Sequence, residues 1–167
     1  MKKLKLYLET TVWNFLFSDT EIEKRNWTCE LFSDIRKEKY DISISDVVLE
    51  EIRRAQYHRR IQIENAMQTY SPIHLEINDE CIELVKKYLT AQFIPSRYID
   101  DMNHIAIASV HNIDVLLSWN LRHLVKLKTK RYVNSINMTE GYKSMEILTP
   151  QEVVDNDPGT EGSERDP

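Results

Sequence analysis

The chain has 167 residues, 41% of them apolar, which suits a single domain with a hydrophobic core. Cys29 and Cys81 lie in no CxxC spacing, no apolar run approaches 18 residues, and Met1-Lys2-Lys3 leads straight into a strand pattern. These features argue against a disulfide scaffold, a zinc site, a membrane span and a secretory signal, and the expectation is a soluble cytoplasmic protein with two buried free thiols. The net charge of −5 argues at first against a nucleic-acid partner, yet five of the 27 acidic residues and one of the 22 basic ones fall within 155–167, leaving the body near −1.

Lys3 to Leu8 alternates Lys and Leu and predicts a first strand with Glu9 at its carboxyl end. Thr10 or Thr11 is then placed to cap a short helix carrying Val12, Trp13, Phe15 and Leu16. Glu21 to Lys39 predicts a second helix, with Trp27, Leu31 and Ile35 at four-residue spacing. A short strand over Asp41 to Ile44 follows, and Ser45 or Asp46 caps a helix whose Val48, Ile52 and Ala55 form an apolar stripe. At 100° per residue Glu51 lies about 60° from Val48 and Glu50 about 160° from it, so Glu51 should face the protein and Glu50 the solvent.

Arg59 to Thr69 predicts more helix, ended before Pro72; Ile73 to Leu75 is a third strand, and Asn78 caps a helix running to about Ala91. In the stretch 100–120, Asp101, Ile105 and Ala108 fall at i, i+4 and i+7, which sets a carboxylate on the packing side of a largely apolar helix. Asn112 signals a turn, Val115 to Leu117 reads as a buried parallel strand, and Ser118-Trp119-Asn120 stands at its carboxyl end. A short helix from Leu121 to Leu127, a basic connector, a strand over Glu146 to Leu148 and a helix start at Thr149-Pro150 complete the pattern. The residues from Asp155 onward are acidic and bear Gly and Pro, so the reading is one domain over 1–154 and a disordered acidic tail over 155–167. Alternating strands and helices predict an α/β fold with a parallel sheet covered on both faces.

Four polar side chains fall where such a sheet would converge them: Glu9, Glu51, Asp101 and Asn120. Three are carboxylates, and no Lys or Arg stands at these strand ends to neutralise them, so a divalent cation is the expected countercharge. Ligands that are oxygen alone favour Mg²⁺ or Mn²⁺ over zinc, and such an ion activates a water toward a phosphodiester. His104 reads as a packed, hydrogen-bonded histidine, and Trp13 and Trp119 as core residues. Thr10 and Asn14 are candidates to position a water or a phosphate. Two basic clusters, Arg53, Arg54, Arg59 and Arg60 in one and Arg122, Lys126, Lys128, Lys130 and Arg131 in the other, are solvated faces or a phosphate-tracking surface.

Five pieces, LYLETTVWNFL (6–16), SDVVLEEI (45–52), DDMNHIAIA (100–108), DVLLSWNLRHL (114–124) and EILTPQEVV (146–154), come in the order and spacing found in PIN-domain ribonucleases, and the chain resembles most nearly the VapC-like toxins of type II toxin-antitoxin modules. The resemblance spans residues 4–154. It implies a PIN-like three-layer α/β/α sandwich with a central, mainly parallel sheet of about five strands, and an acidic site for Mg²⁺ or Mn²⁺ that cleaves RNA. Glu9, Glu51 and Asp101 fall on the family's first three acidic positions and Asn120 on the fourth. Glu9 is one methylene longer than the usual Asp, and Asn120 is neutral, which implies one well-held metal with a second arriving with substrate. The resemblance further implies an RNA substrate and a cognate antitoxin partner, and leaves a homodimer open. A catalytically impaired RNA- or protein-binding module and a housekeeping RNA-processing nuclease are the competing functions.

Overall fold

The computed structural model describes residues 2–155. The predicted acidic tail therefore lies, apart from Asp155, outside the described residues. Five strands, β1 (Leu4–Leu8), β2 (Tyr40–Ser45), β3 (Ile73–Leu75), β4 (Val115–Leu117) and β5 (Glu146–Leu148), form one sheet in the order β3-β2-β1-β4-β5. Every pairing is parallel. Eight helices connect and flank them: α1 (Thr10–Phe15), α2 (Ile22–Arg36), α3 (Asp46–Arg53), α4 (Tyr57–Tyr70), α5 (Asp79–Ala91), α6 (Ile99–Val110), α7 (Leu127–Thr139) and α8 (Pro150–Asp155). Helices α5, α6 and α7 pack together, as do α1, α2 and α8, and the result is the three-layer α/β/α sandwich.

The sheet sets the position of everything polar. The chain runs from β1 outward to β2 and β3, then returns to the other side of β1 for β4 and β5. The reversal lies between β1 and β4, whose carboxyl ends meet at the Leu8 and Leu117 pairing. A crevice outside the carboxyl ends of the strands at such a reversal is where open α/β sheets bind ligands. Both strands are apolar on each face, and Leu6, Tyr7, Leu8, Leu116 and Leu117 are fully buried, as strands covered on both sides must be. Trp13 of α1 meets Phe32 of α2 edge to face at 5.2 Å, and Phe32 meets Tyr70 of α4 at 4.8 Å. Each such pair adds about 0.5–1.5 kcal/mol beyond its buried area, which anchors the short helix that follows Glu9.

Four expectations need correction. The predicted helix over Leu121 to Leu127 is a series of turns, and the predicted basic connector is the 13-residue α7. Its buried face is Thr129, Val133 and Asn137, at four-residue spacing but two-thirds polar, so no apolar period marks it. Helix α3 ends at Arg53, which leaves Ala55 in the following turn and the buried stripe at Val47, Val48 and Ile52. Cys81 is buried, but Cys29 is exposed on the outer side of α2. Asn112 turns the chain with φ of 55°, a left-handed conformation that Asn tolerates better than most residues.

Candidate active site

Glu9 leaves β1 with extended backbone angles and is itself the N-cap of α1, with Thr10 as the first helical residue. The cap predicted for Thr10 or Thr11 thus falls to Glu9. Its Oε2 accepts from the Thr11 backbone N–H at 3.1 Å, from the Thr11 hydroxyl, and from Ser118 Oγ at 2.8 Å. The Thr11 hydroxyl in turn accepts from the Trp119 N–H at 2.8 Å. One carboxylate oxygen therefore ties α1 to the end of β4. The other, Oε1, lies 4.0 Å from His104 Nε2 and has no hydrogen-bond donor among the described residues. Capping thus occupies one oxygen of Glu9 and leaves the other on the side of His104.

The phase predicted for α3 holds. Glu51 is half-buried, whereas Glu50 is exposed and pairs with Arg53 at 3.1 Å and Arg54 at 3.9 Å. Glu51 Oε1 accepts from Thr10 Oγ1 at 3.1 Å and from His104 Nε2 at 2.5 Å. His104, fully buried one turn after Asp101, places Nδ1 2.6 Å from the Tyr7 hydroxyl. That hydroxyl lies 2.7 Å from Ser45 Oγ, and Ser45 caps α3 by accepting from the Val47 N–H. A single chain of hydrogen bonds thus joins β1, α3 and α6, the three elements that end in or carry Glu9, Glu51 and Asp101. The packed histidine expected from sequence is present, and it holds the Glu51 carboxylate.

The charges are unevenly compensated. Burial opposes ionisation of Glu51, but the hydrogen bond and charge of His104, together with the Thr10 hydroxyl and Arg54, hold its carboxyl below the ordinary range. Burial likewise pushes the His104 imidazole down, and the bond to Glu51 with the charges of Glu9, Glu51 and Asp101 raises it above its ordinary value. Asp101 has no such relief: burial and the Glu9 carboxylate, with smaller contributions from Glu51 and Asp100, outweigh His104 and push it up to about 6.

Glu9, Glu51 and His104 offer ligand atoms within 4.8 Å of one another. Asp101 stands outside that trio and acts on it through charge. Asn120 connects to Glu9 only through Ser118, whose Oγ accepts from the Asn120 N–H at 2.9 Å. Its amide oxygen accepts from the His123 N–H at 3.0 Å and so caps the next turn. Among the described residues no Lys or Arg pairs with Glu9, Glu51 or Asp101. The free Glu9 oxygen and the ionisation-resistant Asp101 fit a divalent cation held by carboxylate oxygens, with an imidazole at its edge. Sequence reading missed Tyr7 and the bonds by which Ser118 holds Glu9 and His104 holds Glu51. A Tyr inside an apolar strand was the available signal, since a buried phenol needs a partner.

Trp13 and Trp119 are core residues, as expected, and the Trp119 indole N–H donates to Thr28 Oγ1 at 2.9 Å. Thr10 holds Glu51, and the Asn14 carbonyl accepts from Arg59 at 2.6 Å. Arg59 reaches the Phe17 carbonyl as well, and Arg60 faces Glu64 at 3.7 Å, so the first basic cluster is occupied internally.

No protein-family model and no curated protein matches the sequence. Solved structures do match. The structure of VapBC2 from Rickettsia felis, bound to a DNA fragment from its promoter, covers 87% of this chain and 98% of its own with a TM-score of 0.51 and 10% identity. VapC20 of Mycobacterium tuberculosis, a sarcin-ricin loop cleaving toxin, matches 66% of this chain and 86% of its own with a TM-score of 0.51 and 14% identity. VapBC-5 of Mycobacterium tuberculosis, of the VapBC toxin-antitoxin family, matches over 87% and 98% with a TM-score of 0.50 and 15% identity. At these identities the likeness is one of fold, and the fold of this chain is that of the PIN domains of VapC toxins.

Proposed function

We propose that this protein is a Mg²⁺- or Mn²⁺-dependent endoribonuclease that acts in the cytoplasm as the toxin of a toxin-antitoxin pair. The observation that carries the reading is the uncompensated charge at the β1–β4 crevice: Glu9 keeps one oxygen without a donor, and Asp101 is pushed up to about 6. Glu9, Glu51 and Asp101 would hold the cation, whose chemistry when bound is to neutralise the scissile phosphate and acidify a water. His104 and Thr10 fix the Glu51 carboxylate, and Thr11 and Ser118 fix that of Glu9, so both oxygens are oriented before substrate arrives. Asn120 fixes the turn that follows β4 through its bond from the His123 N–H. The shared fold with VapC20, and with VapC in two VapBC structures, supports an RNA substrate and a cognate antitoxin. The test is cleavage of RNA in Mn²⁺ against EDTA by the parent and by Glu51→Gln; a parent that cleaves equally in EDTA refutes the metal site.

A second reading has its own support. His104 already neutralises Glu51 at 2.5 Å, as it would in a PIN-fold binding module that no longer takes a metal. Under that reading Mn²⁺ leaves the melting temperature unchanged and no RNA is cut.

A further inference from the structure

The histidine that holds Glu51 has the surroundings of a metal ligand. His104 is fully buried, and its ring is fixed from the Nδ1 side: Nδ1 lies 2.6 Å from the Tyr7 hydroxyl, and the two rings meet edge to face with centroids 5.7 Å apart. Tyr7 is itself fully buried in β1, and its hydroxyl reaches Ser45 Oγ at 2.7 Å. A phenol can accept from an Nδ1–H and donate to a serine oxygen at the same time. The ring can therefore keep its proton on Nδ1 and present Nε2 as a bare lone pair. A partner on the far nitrogen, fixing the tautomer and the direction of the ring, is what metal-bound imidazoles have.

Two carboxylate oxygens face Nε2, Glu51 Oε1 at 2.5 Å and Glu9 Oε1 at 4.0 Å. Glu9 is 3% exposed, yet this oxygen has no hydrogen-bond donor among the described residues. With bonds of about 2.1 Å to a common cation, donors at right angles stand roughly 3.0 Å apart and opposed donors about 4.2 Å. The separation of Nε2 from Glu9 Oε1 already lies in that range. Its separation from Glu51 Oε1 is that of a hydrogen bond, and it opens by roughly 0.5 Å when a cation takes the place of the proton between them. Glu51 is only half-buried and can give that distance, whereas the ring is held by Tyr7.

We infer that His104 Nε2 is itself a ligand of the cation, which makes the centre a mixed nitrogen and oxygen site that prefers transition-metal ions such as Mn²⁺ and Co²⁺ to Mg²⁺. The inference rests on the metal site of the nuclease reading and adds to it a ligand and an ion preference. Mg²⁺ takes oxygen ligands and gives up its waters reluctantly, whereas an imidazole nitrogen favours the transition-metal ions, more strongly from Mn²⁺ to Co²⁺. Tyr7 is then a positioning residue, since it touches the ligand and not the ion. If His104 served only to hold Glu51, its loss would weaken every ion alike.

The test uses the full-length protein, stripped with EDTA and dialysed, and reads metal binding without RNA. Pulsed electron paramagnetic resonance of the Mn²⁺-loaded parent should show a directly bound nitrogen, and His104→Gln should lose it. Titrations with Mg²⁺, Mn²⁺ and Co²⁺ should rank the three in rising affinity. His104→Gln should weaken Mn²⁺ and Co²⁺ by about 10-fold or more beyond its effect on Mg²⁺. Tyr7→Phe keeps the ring and removes its Nδ1 partner, so the nitrogen signal should remain while Mn²⁺ affinity falls about 10–100-fold. Circular dichroism checks that each variant is folded; should His104→Gln not fold, the spectrum of the parent and the affinity of Tyr7→Phe decide. The assignment is overturned if no ion binds or if the loaded parent shows no bound nitrogen. It is equally overturned if the signal survives His104→Gln, and so comes from a surface histidine, or if that variant weakens all three ions alike. RNA cleavage in Mn²⁺ is measured separately. A parent that binds the ion through nitrogen but cuts no RNA defeats the nuclease reading and leaves the ligand in place, whereas cleavage without a nitrogen signal does the reverse.

Discussion

Asp101 offers the sharpest physical test of the site, because its effect on stability should change sign with metal. Its carboxyl stands at about 6 in the folded protein against an ordinary 3.8, so folding disfavours its charge. Well below pH 3.8 the group is neutral in both states and contributes nothing; the penalty on the native state builds up between pH 3.8 and about 6 and is fully present above that. The difference corresponds to roughly 3 kcal/mol at 1.36 kcal/mol per unit. Asp101 is only half-buried, and halving for solvent screening leaves about 1.5 kcal/mol. Asp101→Asn removes the charge at nearly constant shape, and the Asp101 side chain makes no hydrogen bond with a described residue that would be lost. In EDTA at pH 7.5 the variant should therefore melt about 3–6 °C above the parent, and the gain should vanish near pH 3.5. In millimolar Mn²⁺ the order should reverse, since the parent then gains a ligand interaction that the variant has lost. Differential scanning fluorimetry over pH 3.5–8 in both conditions reads all four corners. A variant less stable than the parent in EDTA at pH 7.5 would refute the argument that the carboxylates repel one another.

Glu51→Gln should lower RNA cleavage by about 100-fold or more, while Glu50→Gln should be nearly silent, and a damaging Glu50→Gln in a cleavage-rate comparison would undo the site assignment. Mn²⁺ at 100 times its Kd should raise the parent's melting temperature by about 5–10 °C, from about 2.7 kcal/mol of linkage; no shift in a melting scan would favour the binding module. Tyr7→Phe deletes the hydroxyl between Ser45 and His104, so urea unfolding should show a loss of about 1–3 kcal/mol, and an unchanged midpoint would show that the relay carries no stability.

The strands, their parallel order of burial and the inward direction of Glu51 were legible because each rests on a short apolar period or on a turn residue such as Asn112. Helix α7 was not, since Lys126, Lys128, Lys130 and Arg131 dominate the sequence while the buried face is Thr129, Val133 and Asn137. The carboxylates of the site could be named from their places after strands and on helix faces. Their partners could not. Ser118 and Glu9 are 109 residues apart, and His104 and Glu51 are 53 apart, so no local spacing announces either bond. The same distance hid the anchoring of Arg59, whose terminal nitrogens donate to carbonyls 42 and 45 residues earlier.

The central place of β1 has a consequence for synthesis on the ribosome. The first strand made is the middle one of the finished sheet, and its second neighbour, β4, ends at Leu117. Until that strand has emerged, Glu9 lacks Ser118, the Thr11 hydroxyl lacks the Trp119 N–H, and the crevice has only one wall. A nascent chain that stops before residue 117 holds Glu9 and Glu51 but cannot fix Glu9 against β4, so no product that short carries the finished constellation. Under the proposed function, a growing chain still short of β4 would lack the finished site, and the interval after β4 emerges is when the proposed partner would be needed.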